Sequence, residues 1–365
     1  MKNMRKAIRE WIVLQVLRVY AVLSRFVQVG NPHGRAPTLM PAPSEEETLG
    51  TFEGGKVYLF RDAMVSGRRG GLVVSNRNQF FANLTYYHSG SHLHPSAVPI
   101  RVPTPEKLKG TGAYLCTPQA DGNYYHWMID LVPRLWLLEQ AGFTPRNLDY
   151  VFVNGENRAW EKETLLAYGF RPEQICNCTK VNRYQIERLA VPDIISNCKD
   201  FYRELEAWRI RFLQRLFPVE ASPQRRRLFC GRKKATWRRL LNEDALYARL
   251  EPLGFLNVNC DGMTVSEQAR LFSSASQVVA VHGSMLTNSL FLQEDAFVIE
   301  IKNRSAAPDY SMTNIYTTRK CRSSIILAEP TRQAGNDYDT NHVDILISSS
   351  QMDAIISLVE KNSVP

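Results

Sequence analysis

From Arg226 onward the chain alternates short apolar runs with helical stretches of about ten residues, and this alternation constrains the fold more than any other feature. RLFCG reads as a strand. A helix over 243–251 follows, with Asn242 as N-cap and Glu243 and Asp244 in its first turn, where carboxylates meet the positive end of the helix dipole. LNVNC is the next strand, Thr264–Ser274 a helix capped by Thr264 or Ser266, SQVVAV a strand, and a further helix starts at Ser284. AFVIEI, SSIILA and HVDILI are strands, and 351–361 is a closing helix, for which packing on the N-terminal domain is one expectation. Alternation at this spacing is the signature of a parallel, doubly wound α/β sheet.

The N-terminal half is less regular. KVYLF and GLVVSN are strand-like, 125–141 carries a helical pattern stopped by Gly142, and LDYVFVNG reads as a buried strand. A short helix ends at Gly169, and 200–217 is a long amphipathic helix closed by Pro218. Residues 30–50, with four prolines and then Glu45–Glu47, form a linker, and 218–226 is a Pro- and Arg-rich hinge. At 365 residues, two domains are the natural division. The expected boundaries are 1–30 for an N-terminal helix, 31–220 for a first α/β domain and 221–365 for a second.

Lys and Arg number 45 against 36 Asp and Glu, a net charge of +9 that calls for a polyanionic partner. Nucleic acid, phosphorylated substrates and anionic membrane all satisfy that demand. The seven cysteines are scattered and contain no CxxC pair, which excludes a zinc ribbon or a thioredoxin-type site and reads as thiols of a reducing compartment.

Lys2, Arg5, Lys6 and Arg9 precede a run from Trp11 to Val29 that is broken by Gln15, Arg18, Ser24, Arg25 and Gln28. Arg18 spoils the apolar core of a signal peptide. In a transmembrane span each arginine costs about 2.5–3.5 kcal/mol at mid-bilayer. An amphipathic helix lying on an anionic membrane surface through residues 2–29 suits the pattern better, since Arg18 and Arg25 share one face. A helix docked on protein and a true span remain as alternatives.

VVAVHGSMLTN (278–288) is the sharpest local signal for chemistry. A hydrophobic strand runs into His282-Gly283-Ser284 and then an apolar helix with Thr287 and Asn288 in its first turns. Ligands of open α/β sheets bind at the carboxyl ends of strands, and the N–H groups of a helix N-terminus suit phosphate. An ordinary strand–turn–helix with a surface histidine has the same spacing. Arg225, Arg226, Arg227, Arg232, Lys233, Lys234, Arg238 and Arg239 then place eight cations within fifteen residues around a strand end. Guanidinium groups grip phosphate as a fork, so Arg232, just beyond Gly231, is the choice for a diphosphate, with Lys233 or Arg239 in support. Nucleic acid is disfavoured, because the run lacks interleaved aromatics and a recognisable binding module.

The third signal is DGNYYHWMIDLVPRLWLLEQAGF (121–143), in which His126 and Asp130 lie four apart on one helix face and Arg134 four further along. A histidine with a carboxylate one turn away is suited to general base catalysis. A capped, aromatic-rich core helix interrupted by Pro133 fits the same residues. His88, His92 and His94 read as a Ser/Gly-rich loop before a metal site. Asp337-Tyr338-Asp339 spells D-x-D but sits in a polar loop away from any strand end. The absence of G-x-S-x-G, Walker and G-x-G-x-x-G motifs argues against a hydrolase elbow, an NTPase and a dinucleotide oxidoreductase.

Taken in order, YYHWMIDLVPRLWLL, RRLFCGRKKATWRRLLNEDAL, GFLNVNCDGMTVSEQARLFSSASQVVAVHGSMLTNSLFL and FVIEI resemble glycosyltransferase family 61, of the kind labelled in bacteria as capsular polysaccharide biosynthesis proteins. The resemblance covers about residues 115–301. It implies a GT-B-like fold, two Rossmann-like domains facing a cleft, with an inverting reaction and no obligatory metal. It implies a nucleotide-sugar donor, and a glycan or lipid-linked glycan as acceptor in surface polysaccharide biosynthesis. The cell would hold such a protein in the cytoplasm, peripheral on the inner face of the membrane. His126 and Asp130 are the expected catalytic pair, with Trp127 and Arg134 on the acceptor side. The donor is expected on Arg232, Lys233, Arg239, His282, Gly283, Ser284, Met285, Thr287 and Asn288, with Glu300 near the nucleoside. One departure stands out: the family loop reads His-Gly-Ala-Gly-Leu, and here Ser284 and Met285 follow Gly283, which implies a less close approach of backbone to phosphate. A non-catalytic nucleotide- or glycan-binding protein that kept the fold is the alternative.

Overall fold

The computed structural model describes residues 38–40, 42–66, 72–77, 79–81, 83–84, 105–117, 120–179, 183–195, 205–220, 224–306, 311–333 and 342–363. The expected N-terminal helix, His88, His92, His94, Asp337 and Asp339 lie outside them. Among the described residues no helix is long and apolar enough to cross a membrane. The chain divides into two compact units, Met1–Cys198 and Lys199–Pro365.

The first unit contains β1 (Thr38–Met40), β2 (Thr48–Phe52), β3 (Gly55–Ser66), β4 (Leu72–Val74), β5 (Gln79–Phe81), β6 (Glu106–Tyr114), β7 (Tyr150–Val153), β8 (Ile175–Asn177) and β9 (Arg183–Pro192). Its main sheet runs β2-β3-β9-β6-β7-β8, with β4 on β3, and β1 and β5 pair separately. The sheet is mixed: β9, β6, β7 and β8 are parallel, whereas β2, β3 and β4 join antiparallel. Long strand β3 has its apolar residues in the core with Phe81, Phe152 and Ile186. β6 is exposed at its start and buried over its last four residues, so the chain enters the core towards the carboxyl ends of the parallel strands.

The second unit is the more regular. It contains β10 (Arg226–Cys230), β11 (Phe255–Asn257), β12 (Ala275–Val281), β13 (Phe297–Asn303), β14 (Arg322–Pro330) and the short β15 (Ile345–Leu346). The order is β11-β10-β12-β13-β14-β15, parallel except for β15. Counted within the unit the parallel strands run 2-1-3-4-5, so the winding direction reverses between β10 and β12. Sheets of this order open a crevice at that reversal, beyond the carboxyl ends of the two strands. Every residue of β12 is buried, as expected of a central strand covered on both faces. Both units are therefore α/β with parallel sheet, a Rossmann-like arrangement.

Several local expectations change. The helix before the hinge, Ala207–Leu216, goes with the second unit, so the units part at 198/199 and not near 220. Its buried face explains why: Gln214 Nε2 donates to Leu290 O at 2.9 Å, and Phe217 meets Phe291 edge-on. The closing helix, Ser349–Lys361, packs within its own unit. It inserts Met352, Ile355 and Val359 into a core with Leu246, Val279 and Ile299. Full burial of such side chains contributes about 1.5–3 kcal/mol each, enough to commit the helix. Thr264 caps Val265–Ser273 in a reciprocal box with Glu267, as its spacing suggests. Asn242 holds the N-cap position of the helix Glu243–Leu250, but its side chain makes no capping bond. Its amide instead donates to Ile347 O and accepts from Ile347 N–H, tying the start of the helix Glu243–Leu250 to the chain beyond β15. The segment Ser284–Phe291 is a 3₁₀ helix.

Candidate functional site

In the first unit the chain leaves β6 and begins one helical turn, Tyr124–His126. Asn123 caps it, its Oδ1 accepting from the N–H groups of Tyr125 and His126. Pro133 supplies no N–H to continue an α ladder, and the turn widens into a π-helix over Trp127–Leu131, closed by Val132 N–H on Trp127 O. The helix resumes at Arg134–Gln140.

This widened turn sets His126 Nδ1 2.6 Å from Asp130 Oδ2, with the side chains 13% and 10% exposed. A carboxylate only accepts, so Nδ1–H donates and Nε2 is left as the acceptor of the ring. An imidazole held in that tautomer is arranged to take a proton through Nε2.

Trp127 and Arg134 do not join it on an acceptor surface. Trp127 is fully buried, its Nε1–H donating to Thr164 Oγ1 at 2.8 Å. Arg134 is 1% exposed and spends its guanidinium on the carbonyls of Cys116, Pro192 and Asp193 at the carboxyl ends of β6 and β9. Burial without a directly bonded carboxylate pulls its pKa down to about 10, which still leaves it charged at neutral pH. Asn154, just after β7, clamps both backbone groups of Thr117. Arg134 and Asn154 thus brace the strand ends from which the His126 turn departs.

The second unit's candidate site lies at the β10/β12 reversal. Gly231 and Arg232 follow β10, and His282 and Gly283 follow β12, so parallel pairing sets the two turns side by side. The Arg232 guanidinium lies directly on Gly283: a Cβ there would sit 2.1 Å from Nη1. Gly283 has extended backbone (φ 172°) that any residue adopts, so a side chain there would have only to displace the end of the Arg232 side chain. The other turn is built alike. Glu243, 5% exposed at the start of its helix, accepts from the Arg232 N–H at 2.6 Å, and a Cβ on Gly231 would collide with its carboxylate. Arg232 Nε and Nη2 donate to Trp237 O at 3.3 and 3.0 Å.

Arg238 stands near enough to repel Arg232. Burial and that repulsion bring the Arg232 pKa down to about 10, with Glu243 opposing them. Arg232 and Arg238 bring two guanidinium groups close together at this turn, an arrangement suited to an anion.

His282 points its Nδ1 at Glu300 Oε1, 2.5 Å away on neighbouring β13. Glu300 is wholly buried, so it orients His282 from beneath and cannot meet a nucleoside. Tyr316 lies against the same carboxylate, and burial together with Glu300 raises its phenol well above the ordinary range. Ser284 and Met285 are half-buried at the opening of the 3₁₀ helix. Thr287 and Asn288 are fully buried, contrary to a donor-facing role; Asn288 Nδ2 donates to Gln268 Oε1 and locks the 3₁₀ helix to Val265–Ser273.

The supporting cations also change. Lys233 pairs with exposed Asp244, and Arg239 forms a fork on Asp344 at 3.1 and 2.6 Å. Arg238, not Arg239, is the neighbour of Arg232. Adjacent arginines are indistinguishable by spacing; the left-handed backbone at Arg238 (φ 56°) is what separates their directions. Glu243 had a sequence signal, as a first-turn carboxylate, but Tyr316 had none.

Residues 124–299 match the family model described as Glycosyltransferase 61, a span that begins at the His126 turn and ends in β13. No curated protein matches the chain. The match takes in the His126 turn, Arg232 and the His282 loop, stops one residue before Glu300, and supports a glycosyltransferase.

Proposed function

We propose that the protein is an inverting, metal-independent glycosyltransferase of GT-B type. In this reading the second unit holds a nucleotide-sugar donor and the first activates the acceptor, a glycan or lipid-linked glycan of surface polysaccharide biosynthesis. The observation that carries it is Arg232 laid on Gly283 at the strand-order reversal, next to Arg238. There the two cations and the N–H groups opening the 3₁₀ helix receive the diphosphate.

The acceptor hydroxyl oxygen bonds to the anomeric carbon as the bond from that carbon to the diphosphate oxygen breaks. The hydroxyl proton passes to His126 Nε2, steadied by Asp130, and the charge gained by the leaving diphosphate falls on Arg232 and Arg238. One displacement inverts the configuration. Residues 2–29, basic and amphipathic, would hold the protein on the inner face of the membrane, near a lipid-linked acceptor.

Thermal stability of the purified chain against nucleotide sugars and nucleoside diphosphates, with and without EDTA, tests the donor site. A selective rise in Tm that survives EDTA, followed by sugar transfer to an acceptor, is expected. A rise abolished by EDTA overturns the metal-independent reading. Met285, half-buried where the family loop has glycine, favours one second reading: nucleotide binding without transfer. That reading predicts the same rise in Tm and no product.

A further inference from the structure

The donor site contains a large aromatic surface with no role so far. Trp237 is 53% exposed, although its carbonyl is bound by the Arg232 guanidinium. The chain carrying it is braced: Arg238 N–H donates to His342 O, the Arg239 fork holds Asp344, and Leu241 N–H donates to Ile345 O at 3.0 Å. The indole itself meets the His342 ring edge-on, 5.1 Å between centroids at 86°. An exposed indole on a mobile loop needs no explanation. One fixed by its own backbone to the phosphate-gripping guanidinium does.

We propose that Trp237 is the stacking platform for the nucleobase of the donor. The inference rests on Arg232 being the diphosphate site. A nucleotide carries its planar base a short reach from its diphosphate, and the residue that anchors Arg232 presents a flat ring within that reach. A planar heteroaromatic ring covers the whole indole face, whereas a sugar chair touches it through a few C–H groups. Every base has such a face, so Trp237 adds affinity without choosing among bases.

The test is calorimetry on the full chain with uridine, guanosine, adenosine and cytidine diphosphates and inorganic pyrophosphate, comparing wild type, Trp237→Ala, Trp237→Phe and Arg232→Ala. The tightest nucleoside diphosphate should bind wild type about tenfold or more tighter than pyrophosphate, and Trp237→Ala should lose that advantage while binding pyrophosphate as before. Trp237→Phe should keep most of the affinity and lose the fluorescence quenching that the nucleotide causes in wild type. Equal nucleotide binding by wild type and Trp237→Ala overturns the proposal. So does a parallel loss of pyrophosphate, which would make Trp237 only a prop for Arg232, or a loss confined to nucleotide sugars, which would place the sugar on the indole. Arg232→Ala separates the two levels: loss of both ligands upholds the diphosphate site whatever Trp237 does, and unchanged binding of both removes that site and this inference with it.

Discussion

The two units each hold a histidine against a carboxylate at nearly the same distance, yet the pairs are built from different parts of the fold. His126 and Asp130 belong to a single widened helical turn, and both side chains keep some contact with solvent. His282 and Glu300 come from adjacent parallel strands, and the carboxylate is sealed from solvent. In each pair the carboxylate meets the ring at Nδ1 and fixes its orientation. The lesson is that the same His–carboxylate contact is reached in two ways, within one helical turn and across two neighbouring strands.

The contrast is sharpest in transfer rate. His126→Ala should lower kcat for transfer by about 10²–10⁴-fold while leaving nucleoside diphosphate affinity unchanged, measured by product formation and calorimetry on folded protein. A wild-type rate in both this variant and Asp130→Ala removes the pair from the mechanism.

Stability separates the pairs next. Glu300→Gln leaves buried groups mismatched and should cost about 1–3 kcal/mol in denaturant unfolding, with Asp130→Asn costing clearly less. Equal costs would break the comparison. Gly283→Ala forces a Cβ against the Arg232 guanidinium and should weaken nucleoside diphosphate binding about tenfold with little change in Tm. Undiminished affinity would show that Arg232 is not held there for the ligand.

The smallest effect concerns the clamp beneath Trp237. The Arg239 fork holds the Asp344 carboxyl below its ordinary value of 3.8. A carboxyl depressed in the folded state contributes stability that is complete above its unfolded pKa and is lost as pH falls through the folded one. Asp344→Asn should therefore cost at most about 1 kcal/mol at neutral pH, and the difference should shrink as pH falls below 3.8 and vanish once the depressed folded pKa is passed. A difference that persists there would assign the effect to lost packing.

How far each region was readable from the chain follows the same division. The strand–helix alternation after Arg226 exposed the parallel sheet of the second unit, because its central strands carry apolar runs, VVAV in β12 and FVI in β13. The first unit's antiparallel flank was less readable, since KVYLF carries no mark of which neighbour it pairs with. The pairing of His126 with Asp130 was visible because helical geometry makes residues four apart neighbours whatever the rest of the chain does. Gly231 and Gly283 were visible as glycines at strand ends, but not the side chains packed on them.

What the sequence by itself determined is therefore local: the elements, the Thr264 cap, and a histidine beside its carboxylate within one turn. Tertiary structure decided the rest. It laid Arg232 on Gly283, set His282 on Glu300, turned Arg238 and Arg239 apart, and buried Trp127, Arg134, Thr287 and Asn288 inside their units. The physical reason is that a period in sequence reports only contacts a few residues apart. Whether a polar side chain meets a ligand or a neighbouring strand depends on which strand ends the sheet order brings together.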